Sequence, residues 1–110
     1  MQKDCYGFRS RRALEDHFRN HYDDPNGGFS TIDEYGECAQ ALLTAPVSDD
    51  ILDCIRTMGS RSGMRIRYHK INQGFIVINT DGYVVSYYRR SQKKKDQAEN
   101  LRYFRNQCQQ

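Results

Sequence analysis

The chain has 110 residues, which is the size of one domain and leaves little room for a second hydrophobic core. Apolar residues make up only 37% of it, so we expect a thin core, but eight Tyr and five Phe distinguish it from a disordered chain. No apolar run approaches the roughly 18 to 20 residues of a membrane span, and the N-terminus lacks the apolar block of a signal peptide, so we expect neither.

The two halves of the chain carry opposite net charge. Residues 1–55 contain five basic and eleven acidic side chains, a net charge of −6, and residues 56–110 contain twelve basic and three acidic ones, a net charge of +9. A half this basic attracts polyanions, and nucleic acid is the obvious partner. A solvated basic surface without a partner is the alternative interpretation.

Two helices are predicted in the acidic half. Ser10 is a suitable N-cap for a helix over about residues 11 to 22, where Leu14 and Phe18 recur at helical spacing. A capping box of Ser30 and Asp33 predicts a second helix over about residues 31 to 44, which Pro46 ends. The apolar face of this second helix comprises Ile32, Tyr35, Ala39, Leu42 and Leu43.

From about residue 51 the pattern changes to four short β-rich runs, ILDCIRT, MRIRYHK, FIVINT and YVVSYYRR, separated by turn sequences. After them, Ala98, Leu101 and Phe104 recur at helical spacing and predict an amphipathic C-terminal helix. The chain is therefore predicted to be one α+β domain over residues 1–110. Its two N-terminal helices would pack on a twisted antiparallel sheet of about four strands.

Strict alternation predicts which strand residues share a face of the sheet. Arg65, Arg67 and His69 would form a basic, solvent-exposed face that contains the catalytic cleft, with Met64, Ile66 and Tyr68 on the other face. In the last strand Ser86 and Tyr88 would share a face, opposite Tyr83, Val85, Tyr87 and Arg89.

The four cysteines, Cys5, Cys38, Cys54 and Cys108, have neither a CxxC motif nor the Cys/His spacing of a zinc site. Their number allows two disulfides in any of three pairings, or four thiols. Cys38 with Cys54 is the first pair to consider, because each lies in a segment with apolar periodicity.

His17 and His21 are four residues apart, so on a helix both imidazoles project from one side. The pair lacks the Glu of an HExxH motif and a third ligand, and we predict no metal or other cofactor. Two interpretations remain, a surface pair without function and acid/base chemistry near neutral pH.

Acid/base histidines next to phosphate-binding groups would suit RNA cleavage by internal transesterification. That reaction needs a base for the 2′-OH, an acid for the departing 5′ oxygen, and donors or cations around a phosphorane, without a metal. Arg67, Ser86 and Tyr88 provide a guanidinium and two hydroxyls, on neighbouring strands if the hairpins pair in sequence order.

The order of these features resembles a known superfamily. LEDHFRNH, then GGFSTIDEYGECAQALL, then RIRYHKINQGFIVINTDGYVVSYYRR, over about residues 13 to 90, resemble the toxin nucleases of the barnase, EndoU, colicin and RelE-like superfamily. The likeness is greatest to colicin D-like ribonucleases of contact-dependent growth inhibition. It implies that His21 is the general acid/base and that Arg67, Ser86 and Tyr88 complete the site. A longer turn after His21, and His69 after the R-Y pair, depart from the family pattern, so His17 and His69 also remain catalytic candidates.

The resemblance implies a metal-independent endoribonuclease toxin that cleaves tRNA and leaves a 2′,3′-cyclic phosphate. It also implies a secreted or delivered effector that acts in the cytoplasm of a target bacterium, and a cognate immunity protein, which should be acidic to oppose the basic half. We expect the free domain to be a monomer. The residues expected to bind the RNA backbone are Arg65, Lys70, Arg89, Arg90, Lys93, Lys94 and Lys95.

A function of another class is a non-catalytic module of phage or plasmid origin that binds RNA, DNA or a protein. Aromatic residues interleaved with basic ones could stack on bases without cleaving the strand. These residues are Tyr87, Tyr88, Tyr103 and Phe104.

Overall fold

The computed structural model of the chain describes residues 5–21, 29–89 and 97–109. It confirms the predicted α+β fold, in which two helices precede, and a third follows, an antiparallel sheet with the strand order β1-β2-β3-β4. The elements are α1 (Arg11–His21), α2 (Ile32–Thr44), β1 (Ile51–Ile55), a 3-10 turn (Gly59–Arg61), β2 (Arg65–His69), β3 (Gly74–Ile78), β4 (Val84–Arg89) and α3 (Gln97–Cys108). Within the described ranges, no helix has the length and apolarity to cross a membrane.

Side-chain hydrogen bonds cap the N-termini of the two N-terminal helices. Ser10 Oγ accepts a hydrogen bond from Ala13 N at 3.1 Å, as predicted for the N-cap of α1. In α2 the predicted capping box is displaced by one residue. Thr31 Oγ1 accepts from Glu34 N at 3.1 Å, and Glu34 Oε1 accepts from Ser30 N at 3.0 Å.

The larger part of the core lies on one side of the sheet, which we call the α2 face. Tyr35 of α2 and Tyr87 of β4 lie at its centre, and both are fully buried. The Tyr35 hydroxyl donates to the Tyr87 carbonyl oxygen at 2.6 Å. The strand residues of this face are Ile51, Asp53, Arg65, Arg67, His69, Ile76, Ile78, Val84, Tyr87 and Arg89.

The opposite side, which we call the α3 face, packs against the C-terminal helix. Tyr68 stacks on Phe75 with ring centroids 4.4 Å apart, and Phe104 of α3 packs against both strands. Ala98 of α3 is exposed, and Asn100 is buried instead. The strand residues of this face are Leu52, Cys54, Ile66, Tyr68, Phe75, Val77, Ser86 and Tyr88.

The prediction that Arg65, Arg67 and His69 form a basic, solvent-exposed face is therefore wrong, although the alternation in β2 is as predicted. Arg65, Arg67 and His69 do share a face, but it is the α2 face, which packs against the N-terminal helices. Arg67 Nε donates to Asp53 Oδ1 at 3.1 Å, and Arg65 pairs with the other carboxylate oxygen of Asp53.

Arg67 also satisfies the C-terminal end of α2. Its NH1 group donates to the carbonyl oxygens of Leu42 and Leu43, each at 3.2 Å, and of Ala45 at 2.5 Å. The last carbonyls of a helix have no partners within the helix, so a largely buried cation at this position stabilises them. Arg67 is thus part of the scaffold.

The disulfide joins different cysteines from those first considered. Cys54 of β1 is bonded to Cys108 of α3, with 6.0 Å between the Cα atoms. Cys38 lies in α2 and packs against the core of the α2 face, whereas Cys54 lies on the α3 face, so the sheet separates the expected pair. Cys5 and Cys38 are not disulfide-bonded.

Replacing Arg67 tests its scaffold role. Lysine keeps a positive charge near Asp53, but it lacks the planar guanidinium that donates both to Asp53 and to the carbonyls of α2. Arg67→Lys should therefore lower the free energy of unfolding by about 2 kcal/mol. Arg65→Lys is the matched control. Because Arg65 is more exposed than Arg67, this substitution should lower the free energy of unfolding by less than about 1 kcal/mol. Urea unfolding measures both, and equal midpoints for the two variants would contradict this role.

Candidate active site

A cleft of about 450 Å³ opens on the α3 face, between α3, the β1–β2 loop and β4, where α1 adjoins the sheet. This volume lies within the range of ordinary ligand sites, roughly 300 to 1,000 Å³. Three predicted catalytic residues, His17, Ser86 and Tyr88, line it together. The other lining residues are Arg56, Arg61, Met64, Val77, Val85, Tyr103 and Gln107.

His17 reaches the cleft because the segment before α1 runs beside the edge strand β4. Phe8 forms a parallel bridge with Val84, and Val84 N donates to Gly7 O at 2.8 Å. The His17 ring then packs on the Phe8 ring with centroids 5.6 Å apart. Burial lowers the pKa of His17, and the charge of Asp16 opposes this only in part. A neutral imidazole can accept a proton at pH 7.

A β-bulge in β4 directs Val85, together with Ser86 and Tyr88, to the cleft. Val77 pairs with Ser86 but Ile78 pairs with Val84, so Val85 is the extra residue. Val84 consequently packs in the core of the α2 face, which strict alternation did not predict.

Tyr88 and Tyr103 place two hydroxyl groups at the cleft. Their oxygens are 2.5 Å apart and hydrogen-bonded. Tyr103 comes from α3, and its ring packs edge-on against Phe75 of β3 with centroids 4.9 Å apart. With the Ser86 hydroxyl, the cleft thus offers three neutral hydroxyl groups.

Arg56 follows β1, and its side chain is 2% exposed. Its Nε donates to the Gln107 carbonyl oxygen at 3.0 Å, and its NH2 donates to Gln107 Oε1 at 2.6 Å. Its NH1 is buried without a hydrogen-bond partner among the described residues, and none of their carboxylates lies within 4.0 Å of the guanidinium. A buried charge without a counter-ion is costly, so this group favours an anion nearby.

Arg61 adds a second cation to the same cleft. It ends the 3-10 turn of the β1–β2 loop. This turn begins at Gly59 and is followed by Gly63, and their φ angles of +72° and +93° lie in the left-handed region that glycine adopts readily. Both arginines line the cleft, and burial and then the charge of Arg61 lower the pKa of Arg56. Two arginines with this placement suit a phosphate oxyanion.

Other predicted catalytic residues do not join this group. Arg67 is on β2, separated from β4 by β3, and on the opposite face from Ser86 and Tyr88, so the expected set of these three does not form. His69 Nδ1 accepts hydrogen bonds from Ile71 N at 3.1 Å and Asn72 N at 3.4 Å, which shapes a turn. His21 is the last residue of α1, and its side chain lies outside what the structure describes.

The described residues of the predicted RNA-binding set also lie outside the cleft lining. Arg65 pairs with Asp53, and the Arg89 guanidinium lies over the Phe29 ring at 4.5 Å. The Lys70 carbonyl oxygen accepts from Gln97 Nε2 at 3.2 Å. Arg90, Lys93, Lys94 and Lys95 are outside the described residues.

Sequence reasoning missed Arg56, Arg61 and Gln107 as site residues, and it considered Tyr103 only for base stacking in the non-catalytic module. The two arginines contribute to the +9 charge of the C-terminal half, but nothing in their spacing shows that they meet. An available signal was the position of Arg56 directly after the apolar run of β1, where a charged side chain continues a strand that is partly buried.

Two further findings bear on the choice of site. In the part of the chain that the structure describes, no group of three or more His, Cys, Asp or Glu side chains could hold a metal ion. A second pocket of about 330 Å³ lies between α1 and α2, lined by Glu15, Phe18, Arg19 and Ile32. Among the side chains that the structure describes, its lining contains none of the predicted catalytic residues, so the larger cleft is the better candidate.

Comparison of the chain with protein-family models, with curated proteins and with solved structures found no match.

The lowered pKa of His17 gives a stability prediction with a defined sign. Because the folded chain binds this proton less tightly than the unfolded chain, the unfolded state takes up more protons near pH 6. The free energy of unfolding should therefore fall as the pH drops below the 6.5 of an unperturbed imidazole. In His17→Gln this part of the pH dependence should disappear, whereas the control His69→Gln should keep it. An NMR titration of His17 with its midpoint at or above 6.5 would contradict the assignment.

Proposed function

We propose that the chain is a metal-independent endoribonuclease that cleaves by attack of a 2′-OH on the adjacent phosphorus. The observation that supports this proposal most strongly is a single cleft lined by a half-buried histidine, hydroxyl groups and two arginines. These are a base, neutral donors and cations, the groups that internal transesterification requires.

In this mechanism His17 accepts the proton of the 2′-OH as the oxygen bonds to phosphorus. The negative charge that develops on the phosphoryl oxygens is stabilised by the guanidinium groups of Arg56 and Arg61 and by the hydroxyl groups of Ser86, Tyr88 and Tyr103. The bond from phosphorus to the 5′ oxygen then breaks, and that oxygen takes a proton from a second acid. His21, four residues after His17 on α1, is the candidate for this acid on its spacing in the sequence.

The biological role extends the same proposal and derives from the resemblance to colicin D-like toxins. The substrate is tRNA, the product carries a 2′,3′-cyclic phosphate, and the domain acts in the cytoplasm of a target bacterium. An acidic immunity protein protects the producing cell. Support for such a partner comes from the +9 charge of residues 56–110, which a complementary acidic surface would attract.

The proposal is tested by incubating the reduced chain with total tRNA in the presence of EDTA. We expect discrete fragments with cyclic phosphate ends. His17→Ala should slow cleavage by roughly 10²- to 10⁴-fold, because it removes the general base. His69→Ala is the matched control, since its imidazole shapes a turn outside the cleft, and it should cleave at the rate of the unmodified chain.

Two other results would contradict the proposal. Loss of cleavage in His69→Ala with full activity in His17→Ala would place the chemistry elsewhere in the chain. Tight binding of tRNA without any fragments would favour the non-catalytic binding module, in which Tyr88 and Tyr103 stack on bases. Tyr87 and Phe104, expected to share that role, are buried on opposite faces of the sheet.

A further inference from the structure

The contact between Arg56 and Gln107 has the form of an anion complex. One residue supplies two oxygen acceptors, the carbonyl and the side-chain amide, to the Nε and NH2 groups along one edge of the guanidinium. Two oxygens of a phosphodiester bind arginine in the same bidentate manner, and they add the charge that Gln107 lacks. The remaining NH1 group is buried without a partner among the described residues, so Gln107 satisfies Arg56 incompletely.

The two cysteines of the disulfide lie next to the two residues of this contact in the sequence. Cys54 lies two residues before Arg56, and Cys108 directly follows Gln107. The crosslink therefore holds the last turn of α3 against the guanidinium. Without the crosslink, that turn would be held by the Arg56 hydrogen bonds and by the apolar contacts of α3 with the sheet. Among the described residues of α3, Phe104 is the one buried apolar side chain in those contacts.

We propose that Arg56 is a phosphodiester-binding group which Gln107 occupies in the disulfide-bonded chain, and that reduction of Cys54–Cys108 makes it available to RNA. A dithiol reductant is oxidised to its own disulfide as the two cysteine sulfurs each gain one electron and one proton. The last turn of α3 can then move away, and the phosphodiester replaces both oxygens of Gln107. This inference rests on the proposed function for its ligand, a ribonucleic acid strand.

The consequence is a binding site that depends on the redox environment. In an oxidising compartment the crosslink keeps Gln107 on Arg56, and the chain binds RNA weakly. In a reducing cytoplasm the same chain binds RNA more tightly. In the oxidised state the oxygens on the Arg56 guanidinium are those of Gln107, and in the reduced state they are those of the phosphodiester. The change therefore requires only the last turn of α3 to move and leaves the core of the α2 face in place.

The test measures binding of a fluorescent single-stranded oligonucleotide with 2′-O-methyl sugars, which this chemistry cannot cleave. The full chain is titrated by anisotropy in its oxidised form and after reduction with dithiothreitol, and far-UV circular dichroism records the fold of both forms. We expect reduction to tighten binding by about tenfold. Equal affinity of the two folded forms would overturn the proposal.

Variants of Gln107 test the same point with the disulfide intact, so the test remains decisive if reduction unfolds the chain. Gln107→Ala removes one of the two acceptors and should tighten binding by the oxidised chain severalfold. Gln107→Glu gives Arg56 an internal carboxylate and should weaken binding in both redox forms. The matched control is Gln109→Glu, the same charge change at an exposed position of the chain just after α3. Equal effects of the two glutamates, or unchanged binding by Gln107→Ala, would refute the inference.

Arg56→Lys should remove the gain on reduction, while Arg105→Lys, at an exposed position of α3, should keep it. Cleavage of unmodified tRNA is measured in parallel. Redox-dependent, Arg56-dependent binding without cleavage would mean that the proposed ribonuclease function is wrong and the site is right. Cleavage at equal rates in both redox forms would mean that the ribonuclease function is right and the redox-dependent site at Arg56 is wrong.

Discussion

The position of the last turn of α3, which places Gln107 on Arg56 at the cleft, depends on the covalent bond between Cys54 and Cys108. α3 has twelve residues, a length at which an isolated helix is marginal in water, so its position relies on what attaches it to the sheet. The bond closes a loop of 54 residues, for which loop-closure entropy gives a stabilisation of about 4 kcal/mol. It holds Gln107 against Arg56 beside β1, whereas Tyr103 is also held at the sheet by its hydrogen bond to Tyr88 of β4 and its ring contact with Phe75 of β3.

Packing on both faces of the sheet divides the basic residues into two groups with different environments. On the α2 face Arg65 and Arg67 pair with the Asp53 carboxylate, and Arg67 also donates to helix carbonyls, which compensates their charges inside the fold. Arg56 and Arg61 at the cleft have no carboxylate partner among the described residues. The basic charge of residues 56–110 therefore serves both the scaffold and the candidate site, and the environment of each guanidinium distinguishes the two uses.

The helices, the order of the strands and the alternation in β2 were predictable because they depend on local periodicity. The face on which the cleft lies was not, since it depends on where α3 packs and on the pairing of Cys54 with Cys108, which no spacing reveals. The environment of Arg67 was not predictable for the same reason. A strand arginine that binds phosphate and one that satisfies a helix C-terminus have the same sequence pattern. His17, Ser86 and Tyr88 were chosen for their chemistry, and the β-bulge and the bridge between Phe8 and Val84 explain how they come together.

The central claim, that RNA binds at the α3 face, is tested most directly by NMR chemical-shift mapping of the reduced chain with a 2′-O-methyl oligonucleotide. The side-chain resonances of His17, Arg56 and Tyr103 should shift with a common dissociation constant, while those of Arg65 and Arg67 on the α2 face stay unchanged. Shifts confined to the α2 face, with His17 and Arg56 unaffected, would contradict the account.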